Sequence, residues 1–122
     1  MPVRSWNSPV LKWLDAERVL QVVKAWVEQL FTQNPDVLRV GLFGSYARGD
    51  WGVGSDIDLV VILCQTDVPF IERARYFNTS TLPLSTDLLV YTEAEWEKML
   101  TEGHFAPRIE REARWFKHPD TE

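Results

Sequence analysis

The sequence predicts an α/β domain, a small mixed β-sheet of three or more strands covered by helices. Three observations carry that expectation. Apolar runs of strand length, Val37 to Phe43, Asp56 to Cys64 and Ser85 to Tyr91, alternate with segments that have helical spacing or helix-capping signals. The middle run is continuously apolar from Leu59 to Cys64, the pattern of a strand buried on both faces. The connections are short, so the elements must stack as layers around one core. A chain of 122 residues is expected to form one domain, with its core over about 37–116 and a helical segment over 8–33 ahead of it.

Taken in order, Ser8-Pro9 reads as an N-cap and first helical residue opening a short turn through Trp13. Asp15 is then expected to cap a longer helix. Val19, Val22, Val23, Trp26, Val27, Leu30 and Phe31 form its apolar face, and Asn34-Pro35 stops it. The strand Val37–Phe43 ends at Gly44. A long loop follows to Ser55 and holds four of the six glycines of the chain. After the second strand, Pro69 to Asn78 suggests a helix and Thr79 to Pro83 a return loop. Thr92 with Glu95 three residues on is a capping box, predicting a helix to about Glu102 closed by Gly103. Pro107 is expected to open a last helix through Phe116.

The formal charge of −5 argues against a broad contact with a nucleic-acid backbone, which requires clustered Lys and Arg. The longest apolar stretch falls far short of the roughly 20 residues of a membrane-spanning helix. No apolar segment follows Arg4, so no secretory signal is expected, and Cys64 is alone and reads as a small buried thiol. Together these point to a cytoplasmic setting. His104 and His118 read as exposed, and Arg108, Glu110, Arg111, Glu112 and Arg114 as a solvated helix face. Most of the six tryptophans read as core, with Trp6, Trp13, Trp51 and Trp115 the candidates for a protein interface.

The chemistry concentrates in Gly44-Ser45, then ten residues, then Asp56-Ile57-Asp58. Residues two apart on a strand point the same way, so Asp56 and Asp58 present their carboxylates to one side. Asp87 lies near the start of the next strand and can join them if the two strands are neighbours. At about 4 Å and an effective dielectric near 20, each such pair repels by about 4 kcal/mol, which a cation or protons must offset. Oxygen donors without His or Cys select a hard ion, Mg²⁺ or Mn²⁺. Gly44 permits close backbone approach, the Ser45 hydroxyl can bond phosphate oxygens, and Arg48 can neutralise phosphate charge. Singly, each piece has a plainer reading as a strand end, a turn or a surface loop. Their joint arrangement favours catalysis.

This arrangement resembles the DNA polymerase beta superfamily of nucleotidyltransferases, and GSYARGDWGVGSDIDLVV in so short a chain is similar to its minimal nucleotidyltransferase branch. The resemblance covers about Val37 to Phe116. In its tail, Ala113 stands where a glycine turn is expected. It implies a polymerase-beta-like fold and transfer of a nucleoside monophosphate, AMP from ATP by family habit, to a hydroxyl with release of pyrophosphate. Asp56, Asp58 and Asp87 would be the catalytic, metal-binding acids, and Gly44, Ser45, Arg48 and Ser55 the nucleotide-binding set. The branch further implies a partner: a small helical HEPN toxin in a hetero-oligomer, with an antitoxin that adenylylates a tyrosine on it. Two alternatives are a non-catalytic antitoxin that only covers its partner and a small-molecule nucleotidyltransferase. The chain has little room for an acceptor-binding domain, so the acceptor is expected to be small or to arrive on a partner.

Overall fold

A computed structural model describes residues 9–49 and 55–119, with side chains described from Glu17 onward. The chain opens with one helix, α1 (Pro9–Gln33). The expected break near Asp15 is absent: the short turn and the longer helix are continuous, so Asp15 sits within the helix rather than capping it. The Ser8 cap lies outside the described residues. Val19, Val23, Val27, Leu30 and Phe31 are buried at helical spacing. The helix ends where Pro35 disfavours helical geometry at Asn34, whose N–H still reaches the Leu30 carbonyl at 2.8 Å.

Strand β1 (Val37–Phe43) follows as predicted. A short helix, α2 (Ser45–Arg48), then occupies the start of what the sequence suggested was loop. Strand β2 (Ile57–Leu63) leads to α3 (Phe70–Arg73), which tightens into a 3₁₀ turn over Ala74–Tyr76 instead of one helix to Asn78. Strand β3 (Thr86–Thr92) runs directly into α4 (Glu93–Glu102), and both halves of the Thr92–Glu95 capping box are present. The last segment departs most from expectation. Helix α5 (Phe105–Glu112) stops early, and Arg114–Lys117 forms a fourth strand, β4.

The sheet order is β3-β2-β1-β4, with β2 and β3 parallel and β1 antiparallel to both of its neighbours. β4 can seat beside β1 because Gly41 has no side chain. The Trp115 ring lies where a Gly41 Cβ would have only 2.9 Å to its nearest ring carbon. The adjoining Arg39 guanidinium sits 4.0 Å over the same ring and pairs with Glu110 at 2.8 Å. Ala113 is extended (φ −72, ψ 151), so the junction between α5 and β4 needs no glycine.

Alternation along β2 divides the core. Ile57, Leu59, Val61 and Leu63 pack with α1 on one face, while Val60 and Ile62 pack with Trp96, Ala106 and Ile109 of α4 and α5 on the other. Trp96 is 1% exposed and its indole N–H donates to Glu110, so truncation to alanine would cost about 3–5 kcal/mol. Arg73 is buried and staples the β2–β3 crossover. It donates to the carbonyls of Val68 and Val90 and, through both terminal nitrogens, to Glu95.

Three surface expectations change. Cys64 is exposed rather than buried, because it falls one residue beyond β2 with its Sγ toward Asp36. His104 is exposed as expected, but His118 is half-buried with its ring 5.2 Å from that of Phe31. Trp115 is a half-buried core-edge residue, while Trp6, Trp13 and Trp51 lie outside what is described. Among the described residues no helix is long and apolar enough to cross a membrane.

Candidate active site

The ends of β1, β2 and β3 converge on the α4–α5 face of the sheet. Asp58 stands directly opposite Asp87 in the parallel β2–β3 register, so both side chains leave the sheet on one side. Across the other edge, Asp58 is the antiparallel partner of Phe43, immediately before Gly44. The registers therefore place both acids beside the turn that the sequence singles out.

Gly44 adopts φ 79 and ψ −152, a region that only glycine visits at low cost. A Cβ there would also collide with Oδ2 of Asp58. The glycine is thus required twice, by its backbone and by the carboxylate beside it. Its carbonyl accepts from the N–H groups of Ala47 and Arg48, both at 3.0 Å, which winds the first turn of α2. Its own N–H donates to Oε2 of Glu112 at 2.9 Å. Ser45 opens α2 half-buried, and Arg48 closes it on the surface.

The electrostatics separate the three acids. Burial pushes the Asp58 carboxyl above its ordinary value, the charges of Asp87 and then Asp56 push it further, and a hydrogen bond with Asp87 adds to the rise. The Arg48 charge pulls it back. Asp87, opposite Asp58 in the register, thus acts on it more strongly than exposed Asp56 does. Among the described residues no three His, Cys, Asp or Glu side chains already enclose an ion-sized space. Ser55 is half-buried just ahead of Asp56, and the N–H of Ile57 is held by the Ser85 carbonyl at 2.9 Å.

Sequence reasoning missed Glu112. In place of a uniformly solvated helix face, Glu110 binds Arg39 and Trp96, and Glu112 binds Gly44 and, at 3.4 Å, Arg48. Arg108, Arg111 and Arg114 remain exposed as expected. The signal that could have found Glu112 is the short polar–aromatic–aromatic–polar run Arg114–Lys117, read as a strand. The register then pairs Leu42 with Arg114 and brings the end of α5 close to the Gly44 turn.

A twisted sheet with a glycine turn beside paired strand acids defines a nucleotidyltransferase domain, and comparison agrees. The family model described as nucleotidyltransferase domain matches residues 23–115, and the chain belongs to that family. A proposed protein adenylyltransferase of Methanocaldococcus jannaschii is 39% identical over 46 residues, which span 37% of this chain and 46% of that relative. The match thus reaches about half the length of the curated relative. The crystal structure of a proposed nucleotidyltransferase from Sulfolobus solfataricus superposes with a TM-score of 0.63 at 25% identity, over 87% of this chain and 86% of that one. A toxin–antitoxin structure with AMP-PNP aligns at a TM-score of 0.42, with 26% identity over 66% of this chain and 68% of that one, too loosely to bear on assembly.

Proposed function

We propose that this chain transfers AMP from ATP to a hydroxyl on a partner protein, and that the partner is a HEPN toxin neutralised by the modification. The observation that carries the transferase reading is the Asp58–Asp87 pair held against the Gly44 turn. Carboxylates that repel one another in a partly buried place have a use when a cation is to be bound. The all-oxygen donor set suits a hard divalent ion, with Asp58 and Asp87 as the converging ligands and exposed Asp56 able to swing toward them. A hard divalent ion so held would supply positive charge against the phosphates.

The remaining roles fall to the protein. Ser45, Arg48 and Ser55 contact the triphosphate, Arg48 supplying positive charge beside an otherwise acidic site. The acceptor oxygen attacks the α-phosphorus, and the bond from that phosphorus to the bridging oxygen of the β-phosphate breaks. Pyrophosphate departs with that oxygen, and Asp87 takes the hydroxyl proton. The acceptor hydroxyl is placed on a partner protein in this reading. The relative named as a protein adenylyltransferase supports the same choice.

The test is the intact mass of a HEPN partner after incubation with the protein, ATP and Mg²⁺. A gain of one or more AMP units, absent with D58N, is expected. An unchanged partner mass with pyrophosphate still released would redirect the reading to another acceptor. No turnover of any nucleotide would end it.

A further inference from the structure

We propose that Glu112 is a positioning residue of the nucleotide site, fixing the Gly44 backbone against Asp58 so that Ser45 and Arg48 meet the triphosphate on a preset turn. The inference rests on the nucleotidyl-transfer reading above. A carboxylate beside a triphosphate site is unfavourable on charge alone, so its presence calls for a compensating role. Its geometry supplies one. The Glu112 side chain is only 14% exposed, and its Oε2 accepts from the Gly44 N–H at 2.9 Å and faces the Arg48 guanidinium at 3.4 Å. Hydrogen bonds to an ionised acceptor are roughly twice as strong as neutral ones, and the nearer bond holds the Gly44 amide.

That residue needs holding. Glycine enters the region Gly44 occupies at low cost and leaves it as readily, so the turn is preset only where its surroundings fix it. On one side of Gly44 lies the Asp58 carboxylate, which a Cβ would strike. On the other lies Glu112. The glycine is thus held by two acids, Asp58 at its α-carbon and Glu112 at its N–H. Glu112 closes α5 two residues before β4, and the pairing of Leu42 with Arg114 brings that end of the helix to the turn after β1, where its side chain reaches the Gly44 N–H. Glu112 touches the turn and has no described contact with Asp58 or Asp87, so its effect on nucleotide passes through its bond to Gly44.

Titration calorimetry with ATP–Mg²⁺ on wild type, E112Q, E112D and E112A tests this, with thermal melts and the Gly44 amide resonance recorded alongside. The glutamine oxygen still accepts from Gly44, so E112Q is expected within about threefold of wild-type affinity. E112D withdraws the acceptor by one methylene, and E112A removes it. Both are expected to bind roughly tenfold or more weakly while melting cooperatively, with a displaced Gly44 amide signal. Wild-type affinity in E112A, or in E112D should E112A fail to fold, overturns the proposal. So does an E112Q as weak as E112D, since charge on Arg48 and not the bond to Gly44 would then be what matters. A wild type that binds no ATP–Mg²⁺ overturns the transferase reading and this inference together, a result distinct from the other two.

Discussion

Gly44 lies so close to Asp58 that a β-carbon on the glycine would overlap the carboxylate. Its φ of 79 adds a second barrier to any side chain. Gly44→Ala must therefore move the turn or displace Asp58. We expect a loss of about 1–3 kcal/mol in stability, measured by denaturant unfolding, and no detectable nucleotidyl transfer. An alanine variant with wild-type melting and activity would show that the turn and the acid are independent.

Asp58 is destabilised as an ion by burial and by both neighbouring acids. Asp58→Asn and Asp87→Asn relieve that repulsion. Without metal their melting temperatures should equal the wild-type value or exceed it by a few degrees, while transfer is abolished. A marked fall in melting temperature would instead make these acids part of the structural framework.

Mg²⁺ with ATP should stabilise the fold more than either does alone, because the ion offsets carboxylate charge and the nucleotide bridges to the turn. At a hundredfold excess over Kd the gain is about 2.7 kcal/mol, a rise of roughly 10 °C for a domain of this size. Differential scanning fluorimetry reads it directly. No shift at saturating concentrations of both would remove the metal site.

Glu95 gives the fold an acid-sensitive element at the far end of β3 from Asp58 and Asp87. Hydrogen bonding from Arg73 lowers its carboxyl to about 2, against 4.5 for the free side chain. A folded-state value below the unfolded one contributes stability above about pH 4.5, and that contribution drains away as pH falls toward about 2. Glu95→Gln should melt lower than wild type at neutral pH and lose less on acidification through that window. Parallel acid limbs for the two proteins would contradict the assignment.

The strands and the acids were readable because each rests on local pattern. The apolar run after Asp58 identifies β2, and Asp87 at the head of a similar run makes their pairing a short step. Thr92 and Glu95 announced α4 through a capping box that involves only near neighbours. What escaped depends on distant residues. Arg114–Lys117 lacks β-branched residues and follows a helical pattern, so its two aromatics are the one local hint of a strand. Its place is created by the missing side chain of Gly41, more than seventy positions earlier, into which Trp115 fits. Glu112 belongs to the same class: its spacing suits a solvated helix, and only the β1–β4 register reveals its partner. Arg73 reads as a surface charge in a polar run, yet it is buried because the crossover folds over it.

The late position of β4 has a consequence for synthesis. Gly44, Ser45, Asp58 and Asp87 leave the ribosome well before Glu112 and the strand that carries it into place. A growing chain can thus assemble β1, β2 and β3 while Gly44 still lacks its anchor. Setting the Gly44 turn therefore waits on pairing of the last strand with the first, so the two ends of the sheet's history meet at one glycine.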